Sequence, residues 1–213
     1  MERIRAVIFD CDGVLFESRK ANLAYYNRIL EAFDYAPVTP AQKELAQLCH
    51  TASSPDVLAG LMAKDDVPPA LAFAARLNYR EFIPLMDPQP DLIEMLQGVS
   101  QCVPLAVATN RGTSIRPILE HFGLDQFFRV VVNSRDVARP KPEPDMLLLA
   151  ARRLGLPPEK CLFVGDSGLD QRAAKSAGIL FAGYGGGVEG DYALDNHRQL
   201  LQLFGGVSGR SAE

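Results

Sequence analysis

The chain has 213 residues, enough for one sizeable core with room for an inserted subdomain. Hydrophobic residues make up 47% and charged residues 23%, and 22 Lys plus Arg against 26 Asp plus Glu give a net charge of −4. That balance argues against a nucleic-acid surface or a basic membrane patch, so an anionic substrate has to be drawn in by a local field. No run approaches the length of a membrane span. Met1-Glu2-Arg3-Ile4 leads directly into a strand, so no signal peptide is expected and a cytoplasmic location is. Cys11, Cys49, Cys102 and Cys161 lack Cys-x-x-Cys spacing and read as reduced, mostly buried thiols.

Residues 4–9 form a short apolar run rich in Val, Ile and Phe, the pattern of a buried strand in a parallel sheet. Ligands of such sheets bind beyond the carboxyl ends of the strands. There the chain places Asp10-Cys11-Asp12-Gly13-Val14-Leu15-Phe16. Alternation in extended chain turns Asp10 and Asp12 to one side and Cys11 to the other, which makes Cys11 a packed thiol. After Phe16 the pattern becomes helical: Leu23, Tyr26, Leu30 and Phe33 share one face, with Ser18 as N-cap. Further helices are expected at about 41–49, 55–64 and 69–82, punctuated by prolines. No strand signal occurs between Phe16 and Gln101, and Met86-Asp87-Pro88-Gln89-Pro90 reads as a return linker.

From there strand and helix alternate. Leu92, Ile93 and Leu96 mark a short helix that Gly98 is expected to end. Strands are expected at 104–109, 128–132, 161–164 and 179–182. Between them lie helices ending at Gly123, Gly155 and Gly178. This order implies right-handed crossovers and a doubly wound parallel α/β sheet. The expected organisation is an α/β core of residues 1–16 and 87–213 with a small α-helical domain at 17–86. Residues 183–187 read as a flexible loop beyond the last strand, lacking the Lys-Ser/Thr ending of a P-loop, and the polar tail from Gly205 is expected to fray.

Three later strand ends also carry chemistry. Thr109-Asn110-Arg111-Gly112 offers a hydroxyl and backbone N–H groups before a helix, which suits a phosphate. Arg139-Pro140-Lys141-Pro142-Glu143-Pro144 holds one ammonium in a stretch stiffened by prolines. Gly165-Asp166-Ser167-Gly168-Leu169-Asp170 supplies two more carboxylates.

In order and in strand context, these segments and the opening Asp-x-Asp-Gly-Val-Leu-Phe-x-Ser closely resemble the four motifs of the haloacid dehalogenase superfamily. The resemblance covers roughly residues 1–16 and 88–190. It implies a Rossmann-like core and a phosphatase of the phosphoglycolate phosphatase-like kind, with Asp10 as nucleophile and Asp12 as general acid and base. It further implies that Thr109 and the Asn110 backbone N–H bind the phosphoryl oxygens, and that Lys141 neutralises nucleophile and phosphate. Mg²⁺ is then held by Asp10, Asp166 and Asp170 together with the Asp12 backbone carbonyl. The charge pattern agrees: like charges about 4 Å apart repel by ~4 kcal/mol at an effective dielectric of 20, and a hard dication with oxygen ligands relieves that conflict. Carboxyl groups ionise near a pKa of about 4, so an Asp nucleophile needs no activating base.

The helical insert resembles the mobile cap of this family. Relatives carry a Gly-containing specificity loop there; here the region reads His50-Thr51-Ala52-Ser53-Ser54, and His50 is a candidate substrate contact. Arg76 and Arg80, four apart on a cap helix, are expected to face solvent. His121 in the last turn of a helix is expected to be structural, and His197 lies near the tail. The expected function is Mg²⁺-dependent hydrolysis of a small phosphorylated metabolite, phosphoglycolate-like or a sugar phosphate, through an aspartyl-phosphate intermediate. The alternative is a phosphomutase of the β-phosphoglucomutase type. A non-catalytic phospho-ligand-binding or regulatory protein fits less well. A dehalogenase is disfavoured, because dehalogenases do not keep an acid at the Asp12 position. Expected partners are the small phosphorylated metabolite, with no nucleic acid and no membrane, and the chain is a monomer or homodimer.

Overall fold

The computed structural model describes residues 4–205; the polar tail beyond them, expected to fray, lies outside the described residues. In chain order the elements are β1 (Ala6–Phe9), β2 (Phe16–Glu17), α1 (Arg19–Ala32), α2 (Lys43–Thr51), α3 (Ser54–Leu61), α4 (Val67–Ala74), β3 (Asp87–Pro88), α5 (Leu92–Ser100), β4 (Leu105–Thr109) and α6 (Ile115–His121). They continue with β5 (Phe128–Asn133), α7 (Asp145–Leu154), β6 (Cys161–Gly165), α8 (Gly168–Ala177), β7 (Leu180–Tyr184), β8 (Tyr192–Leu194) and α9 (His197–Gly205).

Six strands form one parallel sheet in the order β5-β4-β1-β6-β7-β8. All four residues of β1 are fully buried, as apolar residues on both faces of a central strand require. Alternation assigns them to two cores. Val7 and Phe9 join Val107 and Val164 under α5, α6 and α9, while Ala6 and Ile8 join Ala106 and Phe163 under α7 and α8. This is the doubly wound arrangement expected from the alternation of patterns. β4 and β6 flank β1 and connect away in opposite directions, so the crevice beyond the end of β1 is the topological switch point where ligands of such sheets bind.

Helices α1–α4 carry a third apolar cluster, including Ile29, Leu30, Val57, Leu58 and Ala70. They hang from a pair of short strands that the sequence does not announce. β2 and β3 are antiparallel, with Phe16 opposite Pro88 and Glu17 opposite Asp87. Two residues per strand are too few for any alternation to register, so the expected absence of strand between Phe16 and Gln101 is corrected here.

Other boundaries also differ. The helix expected to run to residue 82 stops at Ala74. Two 3₁₀ turns follow, Tyr79–Glu81 and Ile83–Leu85, the first capped by the Asn78 side chain, which accepts from Arg80 N. Arg76 and Arg80 therefore share no helix. Arg80 pairs with Glu120 at 2.8 Å, both half-exposed. Gly98 does not end α5 but lies inside it, because a Cβ there would come within 2.3 Å of Leu201 on α9. Close helix packing selects the glycine, and it mimics a stop signal. The chain also continues beyond the expected last strand. β7 reaches Tyr184, β8 pairs with it, and α9 packs on α5. Among the described residues no helix is long and apolar enough to cross a membrane.

Candidate active site

Asp10 leaves the end of β1 in a nest of charge. Lys141 Nζ lies 2.8 Å from Asp10 Oδ1 and 2.6 Å from Asp170 Oδ1, and only 3% of Lys141 is exposed. Its ammonium stands over the Phe163 ring, 5.4 Å from the ring centre. Asp170 sits at the third position of α8 in a capping box: its Oδ2 accepts from Ser167 N and from Ser167 Oγ, and its own N–H donates back to Ser167 Oγ. The carboxylate that completes this cap also meets Lys141. Carboxylate oxygens of Asp10, Asp166 and Asp170 all lie within 4.8 Å of one another.

Gly13 makes that approach possible. Its φ is +79°, and a Cβ there would stand 1.9 Å from Asp166 Oδ2. Burial drives Asp166 up to about 7, helped by Asp170 and opposed by Lys141. Burial likewise pushes Asp10 well above its ordinary value; Lys141 opposes this, while Asp170, Asp12 and Asp166 add to it. Asp10 is thus not the unshifted carboxylate expected from sequence: its charge depends on the cations around it. Asp10 Oδ1 faces Lys141 at 2.8 Å and otherwise has no hydrogen-bond partner among the described residues. An all-oxygen donor set with surplus negative charge fits a hard dication such as Mg²⁺.

Asp12 turns into a different setting. Its Oδ1 accepts from Arg111 Nη2 at 2.5 Å, from Asn22 Nδ2 at 3.1 Å and from Ser18 Oγ. Among the described residues nothing donates to Oδ2. Burial alone would raise this carboxyl, but the Arg111 guanidinium, with nearby His50 and the hydrogen bonds from Arg111 and Ser18, outweighs it and holds Asp12 below its ordinary range. Ser18 occupies the N-cap position of α1 as expected, yet its hydroxyl caps nothing; it is spent on Asp12. Cys11, between the two acids, is fully buried in the apolar core, and burial pushes its thiol well up.

Thr109, 1% exposed, ends β4, and its Oγ1 accepts from Arg111 N at 3.2 Å. Asn110 does more than its backbone N–H was expected to. Its Oδ1 accepts from Lys141 N at 2.9 Å, and its Nδ2 donates to Lys141 O at 3.0 Å and to Thr51 O at 3.2 Å. One amide thereby clamps the lysine-bearing loop and touches the end of α2. His50 lies in the last turn of α2 and is 3% exposed, its Nδ1 3.4 Å from Asn22 Nδ2. A cavity of about 550 Å³ opens over these groups, lined by Asp10, Asp12, His50, Thr109, Asn110 and Arg111. Asp10, Asp12, Thr109, Lys141, Asp166 and Asp170 are thus gathered at the strand ends, and His50 meets them on the Asp12 side through Asn22. The other two histidines stand apart: His121 stacks edge-on against Phe122, and His197 is fully buried against Tyr184.

Arg111 is the residue that sequence reasoning passed over. It is 9% exposed, pairs with Asp12 and Asn22 Oδ1, and stacks 4.9 Å over the Tyr79 ring. The available signal was its place two residues after Thr109, where a strand end opens into the crevice.

Residues 7–184 match the model of the haloacid dehalogenase-like hydrolase family. The phosphoglycolate phosphatase of Shigella flexneri is 32% identical over 220 residues, covering 91% of this chain and 86% of the relative. Among solved structures, a HAD-superfamily hydrolase of subfamily IA, variant 1, from Geobacter sulfurreducens is 36% identical with a TM-score of 0.82, covering 94% of this chain and 99% of that one. A putative β-phosphoglucomutase from Thermotoga maritima is 28% identical with a TM-score of 0.69, over 96% of this chain and all of that one. Carboxylates at the switch point of a doubly wound sheet and a family match spanning most of the sequence lead to one conclusion: the chain belongs to the haloacid dehalogenase-like hydrolase family.

Proposed function

We propose that this hydrolase is a Mg²⁺-dependent phosphatase of small phosphorylated metabolites, phosphoglycolate-like compounds foremost, acting through an aspartyl phosphate on Asp10. The observation that carries the reading is the division of two neighbouring acids between two environments: Asp10 sits against Lys141, Asp166 and Asp170, and Asp12 against Arg111, Ser18 and Asn22. Carboxylates set apart in this way take different roles; burial alone would leave Asp10 the protonated one, so its role as nucleophile depends on Lys141 and bound Mg²⁺ keeping it ionised. The relatives named phosphoglycolate phosphatase support the choice of substrate.

The resting site holds Asp12 ionised, so the proton it passes through Oδ2 to the departing oxygen is one it takes up with the phosphate ester; Asp10 attacks phosphorus in the same first step. In the second, Asp12 takes a proton from the water that cleaves the aspartyl phosphate, which restores both acids. Thr109 Oγ1 and the Asn110 N–H hold phosphoryl oxygens, and Lys141 balances charge on nucleophile and phosphate. Asp10, Asp166 and Asp170, with the Asp12 carbonyl, would hold Mg²⁺, which when bound screens the phosphate's charge from the incoming carboxylate. Helices α1–α4, within residues 17–86, act as a cap that excludes water during transfer. The Asn110 contact to Thr51 and the Arg111 contact to Asn22 support this, since they bridge core and helices. Four free cysteines suit a reducing, cytoplasmic compartment.

Phosphate release from a panel of phosphorylated metabolites, with Mg²⁺ and with EDTA, tests the proposal. Strict metal dependence and loss of turnover in a folded Asp10→Asn variant are expected. Normal rates in that variant would remove Asp10 as nucleophile.

A further inference from the structure

The loop that carries Asp10 and Asp12 into the site closes on itself. Leu15 N and Phe16 N both donate to Cys11 O, at 3.0 and 3.1 Å, and Gly13 N donates to Phe16 O at 2.8 Å. The Gly13 and Leu15 carbonyls are met instead by one residue seventy-six positions after Gly13. Gln89 Nε2 donates to Gly13 O at 3.1 Å, and Gln89 N donates to Leu15 O at 3.0 Å. A carbonyl only accepts, so the Gln89 atom facing Gly13 is its amide nitrogen. Gly13 is the residue whose missing side chain lets Asp166 approach, and the carbonyl of its neighbour Asp12 belongs to the proposed Mg²⁺ set. Glycine has the widest choice of backbone conformations, so the close approach comes with a freedom that a hydrogen bond at that residue restrains.

Gln89 is itself held from two sides. Before it, Asp87 and Pro88 form β3 against β2, the pair from which helices α1–α4 hang. After it, Pro90 and Asp91 are fastened by the first two residues of α9. Pro90 O accepts from His197 Nδ1 at 3.2 Å, and Arg198 meets both Asp91 oxygens, Nη2 to Oδ1 and Nε to Oδ2, each at 3.0 Å. Asp91 has a φ of +60°, a conformation that its side chain disfavours and that the bidentate pair helps to hold. Gln89 thus stands, half-buried, where the attachment of the cap, the C-terminal helix and the catalytic loop meet. Among the described residues it is not part of the cavity wall, so what it does for the reaction it does through the loop.

We propose that Gln89 is a positioning residue for the metal-holding loop, and that through it the affinity for Mg²⁺ depends on how the return strand of the cap is seated. One part-buried hydrogen bond contributes little to global stability. Groups that orient metal ligands nevertheless govern metal affinity strongly. The coupling is reciprocal: Mg²⁺ bound more tightly with Gln89 in place also holds Gln89 in place. The assignment rests on the phosphatase reading for the ligand set, but not on turnover.

The test is calorimetric titration with Mg²⁺ alone. Gln89→Met keeps the length of the side chain and the main-chain bond to Leu15 but has no side-chain donor. It should bind Mg²⁺ about five- to tenfold more weakly than wild type, while its urea midpoint in EDTA stays within ~0.3 M. Phosphate release should need correspondingly more Mg²⁺ for half its maximum, and kcat at saturating Mg²⁺ should return to within about twofold of wild type. Arg198→Met, which frees Asp91, should weaken Mg²⁺ binding by about two- to threefold, and should add little to Gln89→Met because both act through one bond. In the wild-type protein, hydrogen exchange of the Gln89 amide should slow when Mg²⁺ is added. Pro88 and Pro90 carry no amide hydrogen, so that signal is not overlaid by its neighbours. A folded Gln89→Met protein that binds Mg²⁺ as tightly as wild type would overturn the proposal, and so would a Gln89 amide whose exchange does not respond to Mg²⁺. A loss of Mg²⁺ affinity matched by a large fall in the EDTA midpoint would make Gln89 a purely structural residue, which also overturns it. Wild-type protein that takes up no Mg²⁺ would overturn the metal reading and the proposal together. Wild-type protein that takes up Mg²⁺ but releases phosphate from no ester would overturn the phosphatase reading alone, and the titrations would still decide the role of Gln89.

Discussion

Replacing Lys141 by Met removes the charge over the Phe163 ring while keeping an apolar stem of similar length. It leaves Asp10, Asp166 and Asp170 facing one another with no cation between them. Each of the two Lys141 pairs, at 2.8 and 2.6 Å, has a Coulomb energy of about 6 kcal/mol at an effective dielectric of 20. Desolvation of the ammonium and carboxylates offsets much of it, and breaking a buried pair costs about 3–5 kcal/mol in practice. With a urea slope of ~2–3 kcal/mol/M, the unfolding midpoint in EDTA should fall by ~1–2 M without a change in slope. Adding Asp170→Asn relieves one of the stranded charges and still accepts from Ser167, so the double variant should regain ~1 kcal/mol or more. A Lys141→Met midpoint within ~0.3 M of wild type would refute the reasoning. It would mean that protons already neutralise the cluster and that the lysine contributes no net stability.

Gly13→Ala should lose ~1–2 kcal/mol from its left-handed backbone and weaken Mg²⁺ binding about 10–100-fold by displacing Asp166; titration calorimetry reads the second effect, and unchanged affinity in a destabilised variant would take Asp166 out of the ligand set. Burial holds His197 below its ordinary range despite the Pro90 carbonyl and Asp91, which pull the other way. The unfolded chain then binds the extra proton below a pH of about 6.5. Its contribution is fully present above that pH and is lost as pH falls, by at most about 1.4 kcal/mol per unit. His197→Phe, which keeps the stack on Tyr184, should therefore flatten the fall in urea stability between pH 7 and 5.5; identical pH slopes in the two proteins would exclude His197 as the cause.

What could be read from sequence follows the range of the interactions. β1, β4, β5 and β6 are runs of apolar residues, and the two chemical motifs after β1 and β6 lie directly at their ends, so local pattern locates them. Arg111 and Asp12 are ninety-nine positions apart; the place of Arg111 just after Thr109 puts it near the crevice, but nothing local names Asp12 as its partner. Asn110 reads as a phosphate-loop residue because its neighbours do; its grip on the Lys141 backbone needs the sheet to exist first. Ser18 stands where a helix N-cap is expected and still gives its hydroxyl to Asp12, because a buried carboxylate is the stronger acceptor. Gly98 failed as a stop signal for the opposite reason: the constraint it meets comes from α9, a hundred residues later.

The β2–β3 stem has a consequence for how such a molecule changes over generations. Paired antiparallel residues stand only about 5 Å apart, so Glu17 and Asp87 are near neighbours in space. Viewed from the sheet, everything between them is a loop whose two ends almost coincide. Lengthening, shortening or exchanging that loop leaves the register of all six parallel strands untouched, since loop-closure cost grows only slowly with length. The sheet with its acids and lysine is one inherited part, and the helices that decide what reaches them are another. Asn110, Arg111 and Asp12 are the points at which a newly acquired loop would have to find its fit.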